Sequence, residues 1–189
     1  MAKVGCKVRA ERQGGLVMEG TKNGTDISVE REWYALHTRA RHEKAIAARL
    51  GEQSTEVYLP LHRRYKKWRN GVHAEVDFPL LPCYLFAHAS AQDRARLLST
   101  KGVLGFADAE IVTEQEIKRL RLAAQLKAVP HAEPAGGQKV RIVAGPLAGT
   151  EGVLEDSDGE CRVVLAFPPM RRAIAVPVTQ EEIEPLRAS

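Results

Sequence analysis

The fourteen residues from Lys139 to Gly152, K-V-R-I-V-A-G-P-L-A-G-T-E-G, constrain the fold more tightly than any other stretch of the chain. Val140 and Ile142 alternate with Lys139, Arg141 and Val143, the period of a strand with one buried face. Gly145-Pro146 then forces a reversal, because glycine is free to take positive φ while proline fixes its own φ near −65°. A second strand is expected from about Glu151, with Gly149 and Gly152 letting it approach the first closely.

Few other architectures are compatible with the rest of the sequence. The 189 residues suffice for one medium domain or two small ones, and the charged fraction of 28% is that of a globular chain. The longest apolar stretch, Phe78 to Ala87, is broken by Pro79 and Pro82 and is half the roughly twenty residues needed to cross a bilayer. No apolar segment resembling a secretory signal opens the chain, so a cytoplasmic monomer with no membrane partner is expected. Cys6, Cys83 and Cys161 are scattered with no C-x-x-C pair, which predicts free thiols and neither a disulfide framework nor a zinc site.

Charge divides the chain. Residues 31–128 hold 17 Lys and Arg against 11 Asp and Glu, a net of +6, whereas residues 129–189 hold 6 against 9, a net of −3. A basic unit that suits nucleic acid is thus joined to an acidic one that suits a different partner. The joint is expected at residues 129–137, where two prolines and two glycines interrupt the periodic pattern. Residues 1–30 show no sustained period and read as a disordered extension.

Between these tails the pattern predicts an α+β domain over residues 31–128. Trp33–His37 reads as a strand, Ala40–Gln53 as a helix with Ile46, Ala47 and Leu50 inward, and Val57–Leu59 as a short strand stopped by Pro60. Leu61–Trp68 and Val72–Phe78 flank Asn70-Gly71, a dipeptide suited to a type I′ hairpin turn. Cys83–Ala89 and Val103–Ala107 read as strands around a short helix at Ala91–Ser99. Thr113 with Glu116 forms a capping-box signature for a last helix, with Ile117, Leu120 and Ala124 inward.

Two resemblances follow from these residues. The strand, G-P-x-x-G turn and bent second strand, with Lys139, Val140, Arg141, Ile142, Gly145, Pro146, Gly149 and Gly152, resemble the KOW motif of small SH3-like barrels, here at residues 138–187. Upstream, Trp33-Tyr34-Ala35-Leu36-His37-Thr38-Arg39, the helix with Glu43-Lys44, Val57-Tyr58-Leu59-Pro60, the basic hairpin, Leu81-Pro82-Cys83-Tyr84-Leu85-Phe86 and Gly102-Val103 occur in the order of NusG-family N-terminal domains. The resemblance implies a transcription elongation or antitermination factor that rides on RNA polymerase. Cys83 stands where housekeeping members usually carry glycine, which makes the chain look more like RfaH or the capsule-locus regulators of Bacteroidetes.

Site residues are implied in the same way. Leu81, Pro82, Tyr84, Phe86, Ile117 and Leu120 match the apolar pocket that takes the polymerase clamp helices. Of these, Tyr84 and Pro82 are the better contacts, since Phe86 and Leu120 also suit a core. His37, Arg39, Arg41 and His42 match a surface for non-template DNA. Arg63, Arg64, Lys66, Lys67 and Arg69, with Tyr65 and Trp68 among them, have the composition of a single-strand or upstream-duplex contact. Asp93, Arg94 and Arg96 lie where specialised relatives meet the polymerase gate loop, but the hydroxyl-rich triplet of RfaH is missing. The acidic barrel is expected to recruit ribosomal protein S10 or the termination factor Rho. Pro168, Pro169 and Pro177 oppose its conversion to helix, since an interior proline costs about 3 kcal/mol. No cofactor is expected and no enzyme: His37 and His42 are out of helical register for a shared metal, and no nucleophile with a base stands out. The competing readings are a ribosome-associated KOW protein that binds structured RNA, and a housekeeping NusG.

Overall fold

The computed structural model describes residues 9–11, 15–18, 30–67, 71, 73–134, 136–157 and 160–186. Two short strands, β1 (Arg9–Glu11) and β2 (Gly15–Met18), precede β3 (Arg31–Thr38). In β3 the run Trp33-Tyr34-Ala35-Leu36 is buried at every position, as a strand covered on both faces must be. Then follow α1 (Glu43–Glu52), β4 (Glu56–Lys67), β5 (His73–Pro79), β6 (Tyr84–Ser90), a 3₁₀ turn (Ala91–Asp93), α2 (Arg94–Ser99), β7 (Val103–Val112) and α3 (Glu114–Gln125). The sheet order is β1-β2-β4-β6-β3-β7, antiparallel throughout, with β5 pairing the far half of β4. One face packs Tyr34, Leu36 and Leu85 against Ile46, Ala47 and Leu50 of α1. The other packs Trp33, Ala35, Tyr58 and Phe86 against Ile117 and Leu120 of α3. The expected capping box opens α3: the Glu116 N–H donates to Thr113 Oγ1 at 3.2 Å, and the Thr113 N–H to Glu116 Oε2 at 2.9 Å.

The C-terminal part is a second antiparallel sheet. It comprises β8 (Val129–His131), β9 (Gln138–Ile142), β10 (Glu151–Ser157), β11 (Glu160–Phe167), β12 (Arg172–Pro177) and β13 (Ile183–Pro185), in the order β13-β9-β10-β11-β12-β8. Val140 and Ile142 point into its core with Val163, Leu165, Ile174 and Val176. The prolines fall in turns and at a strand end: Pro168 and Pro169 begin a 3₁₀ turn (Pro168–Met170), and Pro177 closes β12. Strands and not helices occupy this region, as the prolines require.

Several sequence expectations are corrected. Pro60 does not stop a strand: β4 runs through it, because there the strand exchanges β6 for β5 as its partner and a missing N–H is tolerated. Helix α1 starts at Glu43 rather than Ala40, since Arg41 lies at φ 66°, outside the helical region. Residues 129–131 are not linker but β8, which pairs with β12 and so belongs to the C-terminal sheet. Residues 9–11 and 15–18 form a hairpin where a disordered extension is expected, and β2 pairs with β4; the remainder of residues 1–29 lies outside the described residues. Gly152 does serve close approach, but chiefly to β11, where a Cβ would lie 2.5 Å from Val163 Cγ1 and 2.7 Å from the Val164 oxygen. Gly149, at φ 84° with open space around it, serves the turn alone.

The two sheets meet. Phe167 and Met170, 6% and 2% exposed, belong to the same continuous apolar cluster as Ala107, Phe86 and Leu120, and the Pro168–Met170 turn rests against β7. Arg171 Nε reaches Asp108 Oδ2 at 3.3 Å on the rim of this junction.

Candidate functional site

The site is built around the turn Pro82-Cys83-Tyr84. Cys83 adopts φ 70°, a left-handed conformation in which a side chain is strained, and three hydrogen bonds hold the turn there. The Thr38 N–H donates to the Cys83 carbonyl at 2.8 Å, the Tyr84 N–H to the Leu81 carbonyl at 3.2 Å, and the Cys83 N–H to Glu43 Oε1 at 3.0 Å. The Glu43 side chain sits at the start of α1 with its residue only 3% exposed. Glycine suits such a backbone, so Cys83 occupies a glycine-like position at some conformational cost.

The turn presents Pro82 in the open and Tyr84 partly covered. Tyr84 pairs across the strands with His37, and their rings stack with centroids 5.1 Å apart. Its hydroxyl is pushed above the ordinary tyrosine range by burial, with Asp108 adding to the rise while Arg172 and Arg171 oppose it. Tyr84 also packs against the apolar cluster that holds Phe167 and Met170 of the C-terminal sheet.

Leu81, Phe86, Ile117 and Leu120 are each fully buried. They form the floor under the turn and offer no surface of their own here, because β6 and α3 pack them against one another. Of the six apolar candidates, only Pro82 and Tyr84 are accessible.

The first basic cluster is brought beside this turn. Arg39, Arg41 and His42 are all exposed, in the bend that carries β3 into α1, and His37 is half-buried under them. The Arg39 N–H is fixed by the Gly102 carbonyl at 2.9 Å. Neither Arg39 nor Arg41 pairs with a carboxylate among the described residues. On the hairpin the expectation divides. Arg63 is tied to Asp77 at 3.2 Å and Glu75 at 3.3 Å, so its charge is locally compensated. Arg64 and Lys67 are exposed. Trp68, Arg69 and the Lys66 side chain lie outside the described residues. Tyr65, 77% exposed, has its hydroxyl pKa raised by a hydrogen bond to Glu75.

Asp93, Arg94 and Arg96 are engaged within the domain. Arg96 binds Asp93 at 2.9 Å, Thr55 Oγ1 at 2.9 Å and Gln53 Oε1 at 3.0 Å. Arg94 pairs with Glu110 at 2.5 Å and lies over the Phe106 ring. No group of His, Cys, Asp and Glu among the described residues could hold a metal ion, and no described helix is long and apolar enough to cross a membrane. Three features were missed in the sequence: the Glu43 brace, the Phe167–Met170 contact with β7, and Arg121, whose guanidinium lies 5.2 Å from the Tyr58 ring centroid and 5.7 Å from that of Trp33. An acidic first-turn residue and a Pro-Pro-Met turn are visible as such, but their partners are distant in sequence.

The family model described as transcription termination factor nusG matches residues 31–121, the whole span from β3 into α3. Among solved structures the chain is similar to Thermotoga maritima NusG, reported for its domain interaction, at a TM-score of 0.55 and 18% identity over 84% of this chain and 98% of that one. This is a likeness of fold. A chain of the MjSpt4:Spt5 complex, conformation B, aligns over 82% of this chain and 97% of that one at 19% identity, with a TM-score of 0.31.

Proposed function

Residues 31–121 belong to the NusG family, and from that premise we propose that the chain is a transcription elongation factor that binds RNA polymerase at its clamp helices and suppresses pausing or termination. The supporting observation is the Pro82-Cys83-Tyr84 turn, an apolar projection braced by Glu43 and Thr38 beside the uncompensated cations Arg39 and Arg41. A helix that docks on Tyr84 and Pro82 leaves these arginines at its rim, where planar guanidinium groups suit phosphates and unpaired bases. Arg64 and Lys67 extend the basic surface along the hairpin for non-template or upstream DNA.

The C-terminal sheet, with its net charge of −3 over residues 129–189, is the recruiting end for a basic partner, ribosomal protein S10 or Rho. In the docked arrangement Tyr84 packs against the apolar cluster that holds Met170, so a clamp helix and the Pro168–Met170 turn compete for neighbouring space. Cys83, standing where housekeeping members usually carry glycine, supports the reading of a specialised antiterminator over a housekeeping protein. Mapping the bound sites across the genome separates these two: occupancy confined to a few long loci favours the former.

The decisive experiment is a pull-down with core RNA polymerase. Tyr84→Ala is expected to keep the fold and weaken binding at least tenfold, and an unchanged affinity overturns the proposal. Co-purification with nuclease-resistant ribosomal RNA in place of polymerase supports the ribosome-associated reading.

A further inference from the structure

The sheet of the basic domain ends at β7 on one side, while on the other side β4 is covered. On the β7 side the Pro168–Met170 turn and the Arg171–Asp108 pair lie alongside. On the β4 side the cover is β2, which pairs antiparallel with Gly15 opposite Pro60, Leu16 opposite Leu59, Val17 opposite Tyr58 and Met18 opposite Val57. Here β4 is at its most apolar: Val57, Tyr58 and Leu59 are at most 1% exposed. A flat apolar edge of this kind recruits other strands unless something protects it. Residues 9–18, which supply this cover, lie outside the span 31–121 matched by the family model.

We propose that the Val57–Pro60 edge is a strand-addition site whose resident is the chain's own Gly15–Met18 segment, and that, once vacated, it takes the same segment in trans, from a second copy of the chain. Three observations support exchange. The resident strand is only four residues long, and one of its four opposite positions is a proline that donates no ladder hydrogen bond. It is the inner strand of a hairpin with β1, so hairpin and edge form one exchangeable unit. The twelve residues 19–30 join it to β3, a length that reaches about 40 Å when extended and so spans to a neighbouring molecule. Recognition is by main-chain pairing, with the Leu16-Val17-Met18 pattern selecting the partner strand.

The full chain bearing L16P together with V17P tests this, because adjacent prolines remove a ladder hydrogen bond whichever residue faces β4. A fluorescein-labelled peptide of residues 9–18 is the probe, with a scrambled peptide as control, and light scattering reports the mass. The doubly substituted chain is expected to bind the probe at least tenfold more tightly than the unsubstituted chain, to ignore the scrambled peptide, and to lose amide-exchange protection within Val57–Leu59. Equal binding by both chains, equal binding of both peptides, or unchanged protection of Val57–Leu59 overturns the proposal. Should the prolines prevent folding, a protease site placed within residues 19–29 and cut after folding replaces them. The excised fragment is then expected to stay bound and to exchange with excess labelled peptide. Its immediate loss, with no rebinding at micromolar peptide, overturns the proposal equally.

Discussion

The Glu43 carboxylate accepts the backbone N–H of Cys83 at 3.0 Å, joining the first turn of α1 to a left-handed turn forty residues away. The acceptor is 3% exposed, so its removal leaves the Cys83 N–H without its partner in a largely buried setting. Glu43→Ala is therefore expected to destabilise the chain by about 1–3 kcal/mol in urea denaturation, while Glu43→Gln, which keeps an acceptor oxygen, costs less than half as much. The conformational strain at Cys83 gives the opposite sign: Cys83→Gly is expected to stabilise by up to about 1 kcal/mol, since glycine meets no penalty at φ 70°. A destabilising Cys83→Gly would show that the thiol's packing outweighs the backbone strain.

Met170 and the Arg171–Asp108 pair both hold the C-terminal sheet against β7, but unequally. The ion pair is 81% and 70% exposed at its side chains, the class of contact that solvent screens to almost nothing. Met170 is 2% exposed, and burial of such a side chain is worth about 1.5–3 kcal/mol. Met170→Asp is thus expected to separate the domains, seen as two shorter rotational correlation times by ¹⁵N relaxation, and to raise affinity for RNA polymerase roughly tenfold or more. Asp108→Ala is expected to leave a single, slower correlation time. The reverse ranking would assign the docking to charge.

What was legible in the sequence is what depends on near neighbours. The Trp33–His37 run announces β3, and the Thr113–Glu116 capping box announces α3. Lys67 pairs with His73, so the hairpin lies where the sequence places it, but this register leaves an odd number of residues between the strands and does not fit the expected two-residue type I′ turn, whose Asn70 lies outside the described residues. Val140 and Ile142 lie inward as their alternation requires. What was not legible depends on partners far along the chain. Glu43 looks like any acidic residue of a helix's first turn until Cys83 is folded above it. Val129–His131 reads as linker because the strand it pairs with, β12, begins forty-one residues after it ends. Leu81 looks like a docking residue and Phe86 like either a contact or core until the fold packs both into the cluster with Ile117 and Leu120 of α3. Arg63 shows the same limit for charge, because its neutralising carboxylates Glu75 and Asp77 lie on the opposite strand of the hairpin.

That compensation makes the basic hairpin a graded test of nucleic-acid binding. Each phosphate contact to a single strand contributes about 0.7 to the slope of log K against log salt. Arg64→Ala with Lys67→Ala, two exposed and uncompensated cations, is expected to lower that slope by about 1.4 in anisotropy titrations with a single-stranded oligonucleotide. Arg63→Ala is expected to change it by much less, because Glu75 and Asp77 already hold that guanidinium. A slope unaffected by either substitution would remove the hairpin from the binding surface.

His62 sets a pH dependence of stability. The residue is 6% exposed on β4, and its Nδ1 is buried with no hydrogen-bond partner among the described residues. Burial is the main force holding its pKa below the ordinary 6.5; the Arg64 charge acts in the same direction, and Asp77 opposes them. The unfolded chain therefore binds a proton at a pH where the folded chain does not, so stability rises with pH across that interval. The contribution of neutral His62 is complete above about pH 6.5 and is lost as pH falls from there toward the lower folded-state value. His62→Leu is expected to flatten this part of the curve of unfolding free energy against pH. Arg64→Ala is expected to shrink it, because removing the neighbouring charge lets the imidazole protonate closer to its ordinary value. A constant difference between His62→Leu and the unsubstituted chain from pH 6.5 downward would show that the imidazole is protonated equally in both states, and that its burial has no electrostatic consequence.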